Sequence, residues 1–212
     1  QETGIKGKLD PTQLQRQLGA KTGGVGGSVL CTLKVPEDGT VAKPDDIVYR
    51  YILRGKATHE RASDLFSLMG DILTNADFGY SQTRVVEMLK ESKARYESAF
   101  RTSGQAYASL RISAGLNEAG LVNEATGGVS HYFKVLELLE TAQSDWPSLL
   151  GRLEAMRSKV LKRASSATVV NLTGDKKALD AASAQLGSFC AQLFGQGSSS
   201  TEPDWSSLAS LV

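Results

Sequence analysis

Few residues in this chain are of the types that do chemistry. Two cysteines, Cys31 and Cys190, and two histidines, His59 and His131, are the only ones of their kind in the 212-residue sequence. Two distant cysteines permit one disulfide, but they read more simply as two buried thiols of a reducing compartment. With no Cys-x-x-Cys pair, a zinc ribbon or a thioredoxin-like site is excluded. Neither histidine lies in His-Glu-x-x-His or His-x-x-Glu-His, where two imidazoles one helical turn apart face a single metal. His59 precedes Glu60, but position 63 is Ser, so that spacing fails.

Two glycine motifs invite a functional reading and do not support it. Gly23-Gly24-Val25-Gly26-Gly27-Ser28 has no Gly-Lys-Ser/Thr, position 29 is Val where a third dinucleotide-motif glycine would stand, and a strand follows where a helix should begin. Backbone freedom at a strand entrance is the expectation there. Gly128-Val129-Ser130 is not a nucleophile elbow, because Tyr132 stands where the second glycine is required. His131, beside Tyr132, could donate to a ligand, although a surface or core role is commoner for such a histidine. Arg111 lies in an otherwise small and apolar helix. Its guanidinium must snorkel or find an acceptor, and an ion pair within the domain is the plain expectation. Lys159, Lys162 and Arg163 are expected near a helix end, where they favour its dipole.

These residues need elements to position them. Asp10-Pro11 reads as a helix start, with amphipathic Leu9 to Leu18 behind it. Residues 25–35 and 47–54 alternate as two half-buried strands, joined by a turn-rich loop. Thr58 or Ser63 is expected to cap a helix carrying Leu65, Phe66, Met69, Ile72 and Leu73. Ser81 opens a long helix to about Thr102, Ser103-Gly104 interrupts it, and Ala106 to Leu116 resumes as a small-residue helix. Gly127-Gly128 marks a break. His131 to Leu139 is apolar on most sides and reads as well buried. Asp145 to Arg163 is amphipathic, Thr168 to Leu172 reads as a third strand, and a last helix uses Ala182, Leu186, Phe189 and Leu193. The order of elements predicts an α+β fold: a mostly antiparallel sheet with helices packed on one face. The division expected is an N-terminal lead-in over 1–24, a single domain over 25–194, and a Gly/Ser-rich linker over 195–212.

Composition narrows the function. With 24 Lys+Arg against 23 Asp+Glu the net charge is +1, so no net field draws the chain to nucleic acid or an anionic membrane. No apolar run reaches the roughly 18 to 20 residues of a membrane span. A hydrophobic share of 41% and a charged share of 22% fit a folded globular chain. The first residue is Gln1 rather than Met, with no signal or transit segment behind it, which points to a piece of something longer.

The order of short motifs adds a resemblance. Leu9 to Gly26, with its Lys21-Thr22-Gly23-Gly24 turn, resembles the stretch that opens the second half of presequence proteases. Arg54-Gly55-Lys56, Asp64-Leu65-Phe66 with Leu68-Met69, and Ser103-Gly104 with Ala106-Tyr107-Ala108 and Arg111 follow in that family's order. So do Gly127-Gly128-Val129-Ser130-His131-Tyr132, Asp145-Trp146 and Val170-Asn171-Leu172-Thr173, with His131 a departure from the family's Gly-Gly-Leu-Ser-Tyr pattern. The collinear matches run from about residue 9 to 194.

The resemblance implies a non-catalytic α+β domain, the third of four homologous ones, in an organellar pitrilysin-type zinc metalloendopeptidase. Such enzymes degrade cleaved targeting peptides and other short unfolded peptides in the mitochondrial matrix or chloroplast stroma. Zinc would sit in the parent's first domain, with no cofactor, metal ligand or catalytic residue here. Partners would be the parent's other domains and unfolded peptide, with no nucleic acid or membrane. Tyr107, Arg111, His131 and Tyr132 are the candidate chamber-lining or structural residues. The alternative is a catalytically silent pitrilysin-like subunit or interaction domain of an organelle complex.

Overall fold

The structure is a computed structural model that describes residues 3–36, 40–41, 43 and 46–194, with the side chains of 163–167 and 194 left aside. The expected linker over 195–212 lies outside the described residues. Seven α-helices and one two-stranded hairpin make up the regular structure described. They are α1 (Pro11–Lys21), β1 (Val25–Leu33), β2 (Ile47–Gly55), α2 (Ala62–Asn75), α3 (Gln82–Ala114), α4 (Glu118–Gly127), α5 (Val129–Ser144), α6 (Trp146–Ala167) and α7 (Lys176–Phe194).

This architecture corrects the expected α+β class: the protein is mostly helical, and the only sheet among the described residues is the β1–β2 hairpin. Residues 168–172 form no strand, and Val169 is 86% exposed. Their β-branched side chains favour extended backbone, but a strand also needs a partner ladder, and the described residues offer none. The hairpin forms where its two strands are expected, yet Val29, Leu30 and Tyr51 remain exposed, so its apolar positions are only partly covered.

By compactness the chain divides into two units. The first takes residues 1–27, 53–81 and 147–201. Its core is Ile5, Leu14, Leu18 and Leu68, with Leu9, Val25 and Ile72 packed against them. Helix α1 forms as its sequence dictates. Pro11 occupies the first turn and Asp10 accepts from the Gln13 backbone at 2.7 Å, while the Gln13 side chain accepts from the Asp10 backbone at 3.1 Å. That reciprocal cap satisfies two donors the helix start would otherwise orphan. Residues 4–9 are tied to the end of α2 by Lys6 N–H to Asn75 carbonyl (2.8 Å) and Asp77 N–H to Gly4 carbonyl (2.9 Å). Lys8 reaches the nearly buried Asp71 at 2.8 Å. Helices α2 and α7 meet through Phe66 and Phe189, whose ring centroids are 5.0 Å apart. Arg157 on α6 donates to the Ala76 carbonyl at 2.7 Å and lies over the Phe78 ring at 4.9 Å.

Two local expectations change in this unit. Neither Thr58 nor Ser63 caps α2. Thr58 precedes a single 3-10 turn (His59–Arg61), and Arg61 occupies the cap position without a side-chain bond. Asp64 in the first turn supplies the favourable charge instead, and it holds Lys21 at 2.8 Å and Arg61 at 3.1 Å. Helix α6 continues to Ala167, which places Lys159, Lys162 and Arg163 ahead of its final turn.

The second unit takes residues 28–52, 82–146 and 202–212, and its described part is built on α3, α4 and α5. Helix α3 runs the length expected of two helices, with non-helical backbone at Ser103 (φ −139°, ψ 30°) where the Ser-Gly interruption is expected. Helix α4 has no counterpart among the expected elements. Asn117 caps it by accepting from the Gly120 backbone at 2.8 Å, and its apolar face is short and split by Gly120 and Gly127. Helix α5 begins directly after Gly128. It is less buried than expected: Phe133 is 61% exposed, and only Val135 and Ala142 are fully buried.

Candidate functional site

All four residues singled out from the sequence fall in the second unit, on α3 and α5, in two adjoining polar and aromatic groups. The first group surrounds Arg111 and Glu124. Arg111 projects from the last turn of α3, and its Nη1 lies 3.0 Å from Glu124 Oε1 and 2.8 Å from Ser130 Oγ. Glu124 is fully buried at 0% exposure. Its Oε1 also accepts from the Ser130 backbone N–H at 3.1 Å and from Ser130 Oγ at 3.3 Å. One carboxylate oxygen therefore gathers three helices.

This arrangement has a local cause. Helix α5 starts on Gly128, which has no side chain to cap it. Its first N–H groups need an acceptor. Glu124 reaches forward from α4, accepts from Ser130 N–H, and serves as the cap from outside the helix. A negative charge there also suits the positive end of the α5 dipole. Arg111 then balances the buried charge. The expectation that Arg111 would find its acceptor within the domain is met by Glu124.

The second group is aromatic and centres on Tyr96, which is buried. Its hydroxyl is 2.7 Å from His131 Nδ1. We assign the donor to the phenol and the acceptor to a neutral imidazole carrying its proton on Nε2. Burial, and then the Arg95 charge, push His131 below the ordinary histidine range, which favours that neutral ring. Burial raises the Tyr96 phenol, so it stays protonated as a donor. Phe100, one turn on, takes Tyr107 edge-on at 4.7 Å and Tyr132 edge-on at 5.2 Å. The Tyr132 hydroxyl donates to Glu97 at 3.1 Å. Burial and that carboxylate raise the Tyr132 phenol as well.

Tyr107, His131 and Tyr132 thus meet around Tyr96 and Phe100, while Arg111 stands one turn beyond Tyr107 on the same helix. Tyr96, Phe100 and Glu124 were not singled out from the sequence. Tyr96 and Phe100 carry a signal, since they recur at helical spacing with Tyr107 to come. Glu124 carries none, because a glutamate in a glycine-rich stretch reads as solvated.

The other candidates are not among these contacts. Cys31 and Cys190 are free thiols and partly rather than fully buried. Burial raises the Cys31 thiol, which lowers its reactivity. His59 lies in the first unit, 3.8 Å from Glu60. Among the described residues no group of three or more His, Cys, Asp or Glu is placed to hold a metal ion. The described residues do not fit a zinc ion. No helix among them is long and apolar enough to cross a membrane.

A mostly helical domain with a single hairpin is the class that these features define. The family of peptidase-associated domains that accompany the M16 peptidases of subfamily C matches residues 3–138, a stretch holding the hairpin and the whole candidate site, and the chain belongs to that family. Presequence protease 1, chloroplastic/mitochondrial, of Arabidopsis thaliana is 37% identical over 179 residues. The alignment covers 84% of this chain and 16% of that relative, so the chain spans under a fifth of the relative's length.

Proposed function

We propose that this chain is a non-catalytic wall domain of a longer, organellar presequence-protease-like zinc metallopeptidase. In that parent it forms part of a closing chamber that admits short unfolded peptides, including cleaved targeting peptides, and excludes folded proteins. The parent works in the mitochondrial matrix or the chloroplast stroma. Its zinc-bound water attacks the peptide in another domain, and this chain contributes shape and closure. The 37% identity over most of this chain to a presequence protease carries the reading. The collinear motifs from residue 9 to 194 support it. Tyr107, Arg111, His131 and Tyr132 act in the domain by holding α3, α4 and α5 in register, and their partly exposed edges contribute to the chamber wall.

The test compares the chain with its parent. The isolated chain is incubated with a presequence peptide and leaves it intact, with or without zinc. The full-length parent cleaves the same peptide and loses that activity to a chelator. Chelator-sensitive turnover by the isolated chain sinks the non-catalytic assignment. A parent that leaves unfolded peptides intact sinks the peptidase assignment.

A further inference from the structure

Helix α6 carries apolar residues on two faces, and only one of them is covered. Leu149 is buried, while Leu150, Leu153 and Leu161 are half-buried with Arg157 among them. Met156 and Val160 share the amphipathic pattern in sequence, yet they are 61% and 49% exposed. Arg152, Met156, Lys159 and Val160 stand at i, i+4, i+7 and i+8, which places them on one helical face. All four are exposed. Two apolar side chains therefore sit beside two cations.

The charge on this face has one sign. Glu154 is the only acidic residue of α6. It lies on the flank away from Met156 and faces Lys6 at 3.8 Å. Lys162 adds a further cation within a turn of Lys159.

Charge, shape and the extent of the chain decide what covers such a face. Targeting peptides are Arg-rich and poor in acidic residues, so this face repels the substrate proposed for the parent. A bilayer surface asks for Trp, Phe or Leu anchors, and Met156 and Val160 supply none of them. A helix carrying Asp or Glu beside an apolar row meets both features. Its carboxylates reach Arg152 and Lys159, and its apolar row covers Met156 and Val160. Met156 is flexible enough to fit such a neighbour. The chain covers 16% of its presequence-protease relative, so most of a parent of that kind lies outside it and can supply the helix.

We infer that the Arg152–Val160 face of α6 docks an acidic amphipathic helix from the rest of the parent chain and is not part of the chamber wall. This rests on the chain being one domain of a longer peptidase. Arg152 offers a planar fork for a bidentate carboxylate, and Lys159 acts as a point charge. The contact is weakened by salt to the extent that its rim stays wet.

The experiment compares the isolated chain with the full-length parent. Peroxide oxidation of Met156 is followed by mass spectrometry, since an exposed thioether is oxidised and a covered one is spared. Zero-length carbodiimide coupling is run in parallel to join Lys159 to any carboxylate in contact with it. The expected result is Met156 oxidation several-fold slower in the parent than in the isolated chain. Lys159 is coupled there to an Asp or Glu outside residues 1–212. Arg152→Glu with Lys159→Glu returns Met156 in the parent to the rate of the isolated chain. Both substitutions lie on an exposed face, so the isolated double variant keeps its melting temperature. If it does not fold, the wild-type oxidation rates and cross-link decide the matter by themselves. Equal Met156 rates in chain and parent overturn the inference. Protection without a cross-link to an outside carboxylate overturns the acidic partner. A cross-link to a second copy, or protection that appears only with added presequence peptide or phosphatidylserine vesicles, assigns the face to another occupant and overturns it as well. None of these readouts depends on peptide cleavage, so failure of the docking and failure of the peptidase assignment are seen separately.

Discussion

Glu124 Oε2 occupies the space that a Cβ on Gly128 would need. The two residues are joined also by the Gly128 N–H, which donates to the Glu124 carbonyl at 2.8 Å. Backbone and side chain of one residue therefore close around the other. This explains how a carboxylate with 0% exposure can leave one oxygen without a hydrogen-bond partner among the described residues. Oε2 is pressed against a glycine, with no room for a donor, while Oε1 makes every bond.

The first prediction follows from that contact. Gly128→Ala puts a methyl group where Oε2 lies, so Glu124 must move and Ser130 N–H and Arg111 lose their acceptor. A loss of about 1–3 kcal/mol is expected, the usual range for overpacking a tight site. Urea denaturation of the variant and the parent chain measures it. An unchanged midpoint would mean that Glu124 has another rotamer available at no cost.

Arg111 and Glu124 should respond unequally to truncation. Arg111 is 42% exposed in its side chain and Glu124 is not exposed at all. Glu124→Ala frees a guanidinium that can reach water. Arg111→Ala strands a buried carboxylate with only Ser130 for support, and a loss of about 2–4 kcal/mol is expected, somewhat below a fully buried pair because Arg111 is partly screened. The double variant Arg111→Met with Glu124→Leu should recover part of that loss. Denaturation of the three variants checks the order, and a double variant worse than Arg111→Ala contradicts it.

Acid should weaken the fold in two separable steps. His131 is held below the ordinary histidine range by burial and by Arg95. Its neutral form is the one the fold prefers, so its contribution is full above the unfolded value and fades as pH falls below it. Asp64 is held below the ordinary carboxylate value by its hydrogen bonds from Lys21 and Arg61. Its contribution is full above that value and is lost further into acid, as pH falls through the lowered one. Thermal melts across pH 8 to 3 should show His131→Asn removing the upper step and Asp64→Asn removing the lower. A single step that survives both substitutions rules out this assignment.

At the N-terminal helix, Asp10→Ala removes the acceptor for Gln13 N–H. A loss of about 1 kcal/mol is expected for a helix cap of this kind. Asp10→Ser should restore most of it, since a serine hydroxyl serves the same N–H. Both are read by denaturation, and a loss equal in the two variants argues against capping as the cause.

Legibility differed between the elements. Helix α1 could be placed from Asp10-Pro11 because a cap is a local signal: acceptor, donor and ring constraint lie within four residues. The Ser103-Gly104 interruption and the Gly127-Gly128 break were legible for the same reason. Helix α4 was hidden, because two glycines dilute a short apolar face and no strong period remains. Residues 168–172 misled in the opposite sense: their β-branched run favours an extended backbone, and whether that becomes a strand depends on a partner remote in sequence. The expected sheet failed on that same dependence.

The candidate site divides along the same line. The collinear motifs were enough to point to a presequence-protease relative and to mark Tyr107, Arg111, His131 and Tyr132, since order and residue type are properties of the chain. Which atoms meet is not such a property. Glu124 became the cap of α5, and Tyr96 the partner of His131, only when α3, α4 and α5 packed. Hydrogen bonds across 13 and 35 residues have no local signature. Local caps and breaks are set by short-range sterics and donors, and the chain carries them openly. The pairing of a buried carboxylate with its arginine, or a phenol with its imidazole, is settled by packing, which alone brings those groups out of water and within reach.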